Sequence, residues 1–398
     1  MFFEIILRNF TKLQILPITQ KNLYKFNKNF GWTFAPNISN LYSNPNKIGV
    51  RINTNESGFR DKDILRNEKK KKILFIGDSI TAAIQVEENE RFSNLVGKKL
   101  NYETYNLAVN GYSTDQALIV LQKYISIIKP DIIFYYLVDN DFYLNGERYL
   151  QSGFGNKWSK PIFNKNFDIV YAEDIISQNT IKTFLKDKSA LIRLYIYLKI
   201  KYKDIKKKYL IKTNKKQSID INIFKQFYFD SEDKVKKFEI FKNLLREMKS
   251  ISKKHGSILI VSRAVNIIDV DLEIQKMGQI NSKNIYDVED IYSDYLYKIK
   301  KFFDENDIVY LPVVNYDFNQ NNIKKIFFYD ENNTLLDGHY TKFGHEYVAK
   351  TMFKFIKKYA EWKKNIISNR MKKSMMTKAF VIALTTLLRN PMNILKAY

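Results

Sequence analysis

Ile73-Leu74-Phe75-Ile76-Gly77-Asp78-Ser79 is the stretch that decides the fold. Four apolar residues without polar alternation predict a strand covered on both faces. Ser79 then stands where the chain leaves that strand toward a helix, at the sheet edge where open α/β folds bind ligands. The charged linker 66–72 precedes the run. Beyond it, residues 91–100 predict a helix with Phe92, Leu95 and Val96 inward. Residues 105–109 predict a second strand, and 114–126 a helix with Asp115 near its positive end. Residues 131–137 predict a third strand, an unbroken apolar run introduced by Pro130. The rhythm breaks over 142–235 and then resumes: helix 235–254, strand 257–261, helix 291–303, strand 308–314, helix 344–362. Alternating helices and uniformly apolar strands predict a parallel sheet with helices on both faces.

The flanks read differently. Residues 1–65, with Pro36, Pro45 and many Asn, predict a loop-rich N-terminal extension packed on the core. The core domain covers 66–365. Its insertion at 142–235 carries loop signals at Gly146, Gly153, Gly155 and Pro161, and a Lys-rich helical stretch at 185–210. Residues 366–398 read as a basic tail with a short amphipathic stretch at 375–388, a candidate for peripheral membrane contact.

Composition narrows the chemistry. The chain has 398 residues and no cysteine, which excludes disulfides, thiolate metal sites and cysteine nucleophiles. Its only histidines are His255, His339 and His345, so any imidazole chemistry uses one of three. The net charge of +24 fits an anionic partner or the Lys-, Asn- and Ile-rich usage of an A+T-rich genome. Lys outnumbers Arg and no nucleic-acid motif appears, so no specific nucleic-acid partner is expected. The N-terminus lacks the order of a signal peptide, and no apolar window approaches the ~20 residues of a spanning helix. A cytoplasmic or peripheral-membrane location is therefore the expectation.

A serine hydroxyl needs a base within hydrogen-bond reach and donors for the oxyanion it creates. Three segments carry such groups. Asn106 to Thr114 leaves the second strand through Gly111, whose N–H can point into a site. Val138-Asp139-Asn140-Asp141 ends the third strand, and the Asn140 amide can donate to an oxyanion. Leu336-Asp337-Gly338-His339 is read as a loop after the fifth strand. There Asp337 can orient the imidazole of His339 as a base. Read one at a time, these are equally a strand-to-helix turn, a polar strand terminus, and a capping Asp beside a surface His. His345 falls within the last helix and reads as structural, and His255 as a helix C-terminal residue.

Taken together, the segments resemble the four blocks of the SGNH (GDSL) hydrolase superfamily. Gly77-Asp78-Ser79-Ile80-Thr81 is similar to the first block, Gly111 to the second, Asn140-Asp141 to the third, and Asp337 with His339 to the last. Asn55-Glu56-Ser57-Gly58-Phe59-Arg60-Asp61 is similar to a segment upstream of the serine in many bacterial members. Val138 stands where the third block has Gly, and one residue rather than two separates Asp337 from His339, a spacing also found in polysaccharide-modifying branches. The resemblance implies a three-layer α/β/α sandwich with a flavodoxin-like parallel sheet. It implies an acyl-serine on Ser79, His339 as base then acid, Asp337 as orienter, and an oxyanion hole from the Ser79 N–H, the Gly111 N–H and the Asn140 amide. The expected activity is cleavage of a short acyl ester on a substrate such as an acylated glycan or lipid, with no metal and no organic cofactor. Transfer to, or deacylation of, a bacterial surface glycan is a second reading. Non-catalytic carbohydrate binding on the same scaffold is a third.

Overall fold

An apolar strand with no alternation must be covered on both faces, and the central strands of the computed structural model are. The structure describes residues 23–44, 47–64, 70–151, 157–164, 166–175, 198, 202, 231–265, 269, 285–312, 325–329 and 335–361. The chain divides into two units, 1–350 and 351–398. In the second, residues 351–361 are helical. All that follows concerns the first.

The N-terminal residues form two antiparallel hairpins, β1 (Tyr24–Asn27) with β2 (Gly31–Phe34), and β3 (Ser39–Asn44) with β4 (Lys47–Asn53). This corrects the loop-rich reading of 1–65 for the described residues. The Asn residues that suggested loop serve the turns instead: Asn27 Oδ1 accepts from the N–H groups of Asn29 (3.0 Å) and Phe30 (3.2 Å). Phe30, Phe34, Val50 and Ile52 are fully buried in the common core.

The main sheet comprises β5 (Lys72–Gly77), β6 (Glu103–Asn106), β7 (Ile132–Leu137) and two later strands. Helix α1 (Ser79–Ala82) and α2 (Phe92–Leu100) lie between β5 and β6, and α3 (Thr114–Ile128) between β6 and β7. A one-turn helix α4 (Asp141–Leu144) follows β7. Two small hairpins come next, β8 (Tyr149–Gln151) with β9 (Lys157–Ser159), and β10 (Ile162–Phe163) with β11 (Ile169–Val170). The helical part of the insertion at 185–210 and the stretch at 375–388 lie outside the described residues, 198 and 202 apart. Helix α5 (Glu232–Lys254), strand β12 (Ile258–Arg263), helix α6 (Ile285–Glu305) and strand β13 (Val309–Pro312) complete the alternation. A last hairpin, β14 (Phe327–Tyr329) with β15 (Leu335–Tyr340), leads into α7, which begins at residue 342.

The sheet order is β13-β12-β7-β5-β6, and every pairing is parallel. Numbered within the sheet, that is the 2-1-3-4-5 order of a flavodoxin-like sheet, with its topological switch point between β5 and β7. Right-handed crossovers put α3, α5 and α6 on one face and α2 on the other. Accordingly α5 packs on α3, and Phe92 at the start of α2 stacks on His345 of α7, ring centroids 5.6 Å apart. Strand β6 is shorter than expected. Pairing ends at Asn106, whose amide donates to the Thr81 carbonyl (2.7 Å) and whose Oδ1 accepts from Ala108 N–H (3.2 Å). After Leu107, whose N–H still donates to the Phe75 carbonyl (2.9 Å), these bonds turn the chain off the sheet, although Leu107–Val109 are all buried.

His345 is fully enclosed, and its Nδ1 accepts the Phe92 N–H at 3.4 Å. Burial, then the charges of Arg91 and Arg60, push its pKa down to about 3. An unfolded histidine titrates near 6.5. Between those values the unfolded chain binds the extra proton, so the histidine's contribution is complete above pH 6.5 and is lost as pH falls toward 3. His345→Gln is expected to be the less acid-sensitive protein. Its stability relative to wild type, measured by urea unfolding, should improve by up to about 1.4 kcal/mol per pH unit below 6.5. A difference independent of pH would contradict a buried neutral imidazole.

Candidate active site

Strand β5 delivers Ser79 to the switch point through a turn that only glycine fits. A Cβ on Gly77 (φ +153°) would lie 2.7 Å from Thr81 Oγ1 and 2.8 Å from the Tyr136 carbonyl. Asp78 caps α1: its Oδ1 accepts from Ile80 N–H at 2.9 Å. Ser79 is half-buried, and its hydroxyl donates to Asp78 Oδ2 at 3.2 Å. Asp78 is itself enclosed, and burial raises its pKa against the opposing pull of the Ile80 N–H and His339.

The upstream segment that includes Arg60 and Asp61 holds this turn from beneath. Asn55 Oδ1 accepts from Ser57 and Phe59 N–H (3.1 and 3.0 Å), shaping the bend. Arg60, fully buried, donates to the carbonyls of Ala82, Ala83 and Val86 at the end of α1, and to that of Arg51. Burial and the neighbouring Arg91 pull its pKa down to about 9. Asp61 accepts the Asn106 N–H, and burial raises its pKa to about 6.

Asp337 and His339 sit on β15, not in the loop expected for them. Leu335–Tyr340 finds Phe327–Tyr329 as a partner strand, which the sequence reading passed over. The two side chains meet directly, so the short Asp-x-His spacing suffices. His339 Nδ1 lies 2.5 Å from Asp337 Oδ1, and the His339 N–H donates to the same oxygen at 3.1 Å. Phe327 pairs with Tyr340 but Phe328 with Asp337. Gly338 and His339 therefore occupy a bulge, the device that re-aims side chains in strand pairs. Both side chains are partly open to solvent, 28% for His339 and 17% for Asp337. Strand β15 packs on α1, and the imidazole is near enough to Asp78 for its charge to lower that carboxyl's pKa. Tyr42 of β3, buried, feels the charge of Asp337. Ser79 and His339 are not hydrogen-bonded to one another; the serine hydroxyl is engaged by Asp78.

Gly111 follows β6 with φ +79°, in the left-handed region that favours glycine. Trp32 of β2 lies against it: the indole N–H donates to the Asn110 carbonyl at 2.9 Å, and Tyr112 OH donates back to the Trp32 carbonyl at 2.6 Å. Asn140 follows β7, half-buried, with its Oδ1 enclosed and making no hydrogen bond. Gly111 and Asn140 thus flank the switch point from the strands on either side of β5. No hydrogen bond joins either to Ser79.

Three further groups hold the segments around the site through contacts that the sequence did not signal. Asp139 is held by Arg263 through two bonds of 2.8 Å and by Tyr295 OH at 2.7 Å. Asp141 Oδ2 accepts from Tyr135 OH (2.7 Å) and Val138 N–H (3.2 Å). Lys160, from the insertion, is fully buried and reaches Ser113 Oγ, Asp115 Oδ1 (2.8 Å) and the Leu144 carbonyl (2.8 Å). It joins the segment after Gly111 to the segment after Asn140. Among the described residues no three His, Asp or Glu side chains group to hold a metal ion, and no helix is long and apolar enough to cross a membrane.

No protein-family model matches the chain, and no curated protein matches it. Among solved structures, it is similar to a GDSL-like lipase from Bacteroides thetaiotaomicron (11% identity over 74% of this chain and 91% of that one, TM-score 0.34). It is likewise similar to a psychrotrophic esterase from Pseudoalteromonas (12%, 73% and 99%, TM-score 0.32). A catalytic mutant of an acetylxylan esterase from Geobacillus stearothermophilus is a third (11%, 73% and 95%, TM-score 0.35). The α/β/α class itself stands on the strand order of the sheet and its parallel pairings.

Proposed function

We propose that this chain is a carboxylic-ester hydrolase of the SGNH type that works through an acyl-serine on Ser79. The observation that carries the reading is the Asp337–His339 pair, 2.5 Å apart on a hairpin packed against the helix that begins with Ser79. For attack, the Ser79 hydroxyl leaves Asp78 for His339 Nε2, which takes its proton as the oxygen adds to the ester carbonyl. Asp337 holds the Nδ1 proton and so fixes the tautomer that leaves Nε2 free to accept. The tetrahedral oxyanion is received by the Ser79 and Gly111 N–H groups and the Asn140 amide. Protonated His339 then donates to the departing alkoxide, and water repeats the sequence on the acyl-enzyme.

The direct test is covalent labelling: a fluorophosphonate probe is expected to modify Ser79, located by peptide mass. p-Nitrophenyl acetate should be turned over by the same preparation. Absence of both labelling and turnover would overturn the reading. Asn140→Ala is expected to lower kcat about 100-fold or more with KM little changed, since the amide acts on charge present only in the transition state. A loss confined to KM would remove Asn140 from the oxyanion hole.

A further inference from the structure

The hairpin that carries Asp337 and His339 shares no ladder hydrogen bond with the main sheet among the described residues. Its hydrogen bonds toward that sheet are made by a side chain. Tyr340, next to His339, is a buried residue of β15 that reaches the sheet. Its ring is 1% exposed and meets Phe327, His345 and Tyr136, with centroids 5.6, 5.7 and 6.4 Å away. Its hydroxyl donates to the Val265 carbonyl just past β12 (2.8 Å) and accepts from Tyr136 OH (3.0 Å). Tyr136 belongs to β7 and is the register partner of Gly77 on β5. One hydroxyl pair thus ties the histidine's hairpin to β7, the strand that delivers Asn140 and pairs with β5, and to the end of β12. Its neighbour Tyr135 points to the opposite face and holds Asp141 and Thr114.

We propose that Tyr340 is the positioning residue for the base, with the chain from Tyr136 through Tyr340 to the Val265 carbonyl setting where His339 stands relative to Ser79. The catalytic consequence rests on the ester-hydrolase reading; the placement of the imidazole does not. Tyr340→Phe keeps the ring contacts and removes both hydroxyl bonds. Tyr136→Phe removes one and leaves the bond to Val265.

Two readouts separate the claims. With only three histidines, the imidazole Cε1 proton of His339 can be assigned through His255→Gln and His345→Gln. Tyr340→Phe is expected to shift or broaden that resonance, and Tyr136→Phe to do so less. In p-nitrophenyl acetate turnover, Tyr340→Phe should lower kcat 10- to 100-fold with KM within twofold, and slow fluorophosphonate labelling by the same factor. An unchanged His339 resonance in both variants overturns the proposal. So does an unchanged kcat in an active protein. Should Tyr340→Phe lower the folded fraction, Tyr136→Phe carries the same test. If wild type neither turns over ester nor takes the label, the hydrolase reading fails while the resonance still decides the role of Tyr340.

Discussion

Ser79→Ala is expected to lower p-nitrophenyl acetate turnover by roughly 10^4- to 10^6-fold and to eliminate fluorophosphonate labelling, with the fold intact. The size follows from the mechanism: without the hydroxyl no acyl-enzyme forms, and the remaining donors can only assist water. The small structural cost follows from the local geometry. Ser79 is half-buried and makes one side-chain bond, to Asp78, which keeps its bond from Ile80 N–H. Losing one such bond costs about 1 kcal/mol. Thermal unfolding beside the rate measurement distinguishes a chemical loss from a structural one. Retained turnover in a folded Ser79→Ala protein would require a different nucleophile.

Lys160→Met is expected to destabilise the protein by about 3–5 kcal/mol, the usual effect of removing one partner from a buried ion pair. Lys160 and Asp115 are both enclosed, with side chains 0% and 1% exposed and 2.8 Å apart. The Asp115 carboxylate would keep the Ser113 hydroxyl (2.7 Å) and the Gln116 N–H (2.8 Å) but lose its only buried cationic partner in this network. The Leu144 carbonyl would lose a donor as well. Because replacing both members of a buried pair is far milder than replacing one, Asp115→Asn combined with Lys160→Met should recover part of the loss. Urea unfolding of the two single variants and the double variant measures this coupling. Additive losses would show that the two charges do not depend on each other.

The two variants also mark where sequence stops being sufficient. Ser79, Gly111 and Asn140 each follow a strand of the parallel sheet, and that placement was legible because an unbroken apolar run followed by a turn is a local pattern. Alternation likewise announced a parallel sheet covered on both faces, whereas its flavodoxin-like order was implied only by the resemblance to SGNH hydrolases. The hairpin of Asp337 and His339 was not legible as such, because strand β14 is three residues long and its pairing with β15 is irregular. The N-terminal hairpins were missed because Asn-rich turns and Asn-rich loops have the same composition. Lys160 gave no signal at all: a lysine in a basic chain reads as solvated surface, and nothing nearby announces Asp115, 45 positions away.

By itself, then, the sequence determined the alternating elements, the sheet edge to which Ser79 is delivered, and the close pairing of Asp337 with His339, because each depends on residues within a few positions of one another. Only the tertiary structure decided what holds these groups in place. Tyr135 and Tyr136 look alike within one apolar run, yet their hydroxyls serve opposite faces of the sheet, one toward Asp141 and the other toward Tyr340. Arg60, Lys160 and Arg263 are buried cations whose partners arrive from elsewhere in the chain. Contacts of that kind leave no periodicity to read, since they arise only when distant segments are packed together and a buried polar group must find a partner or destabilise the fold.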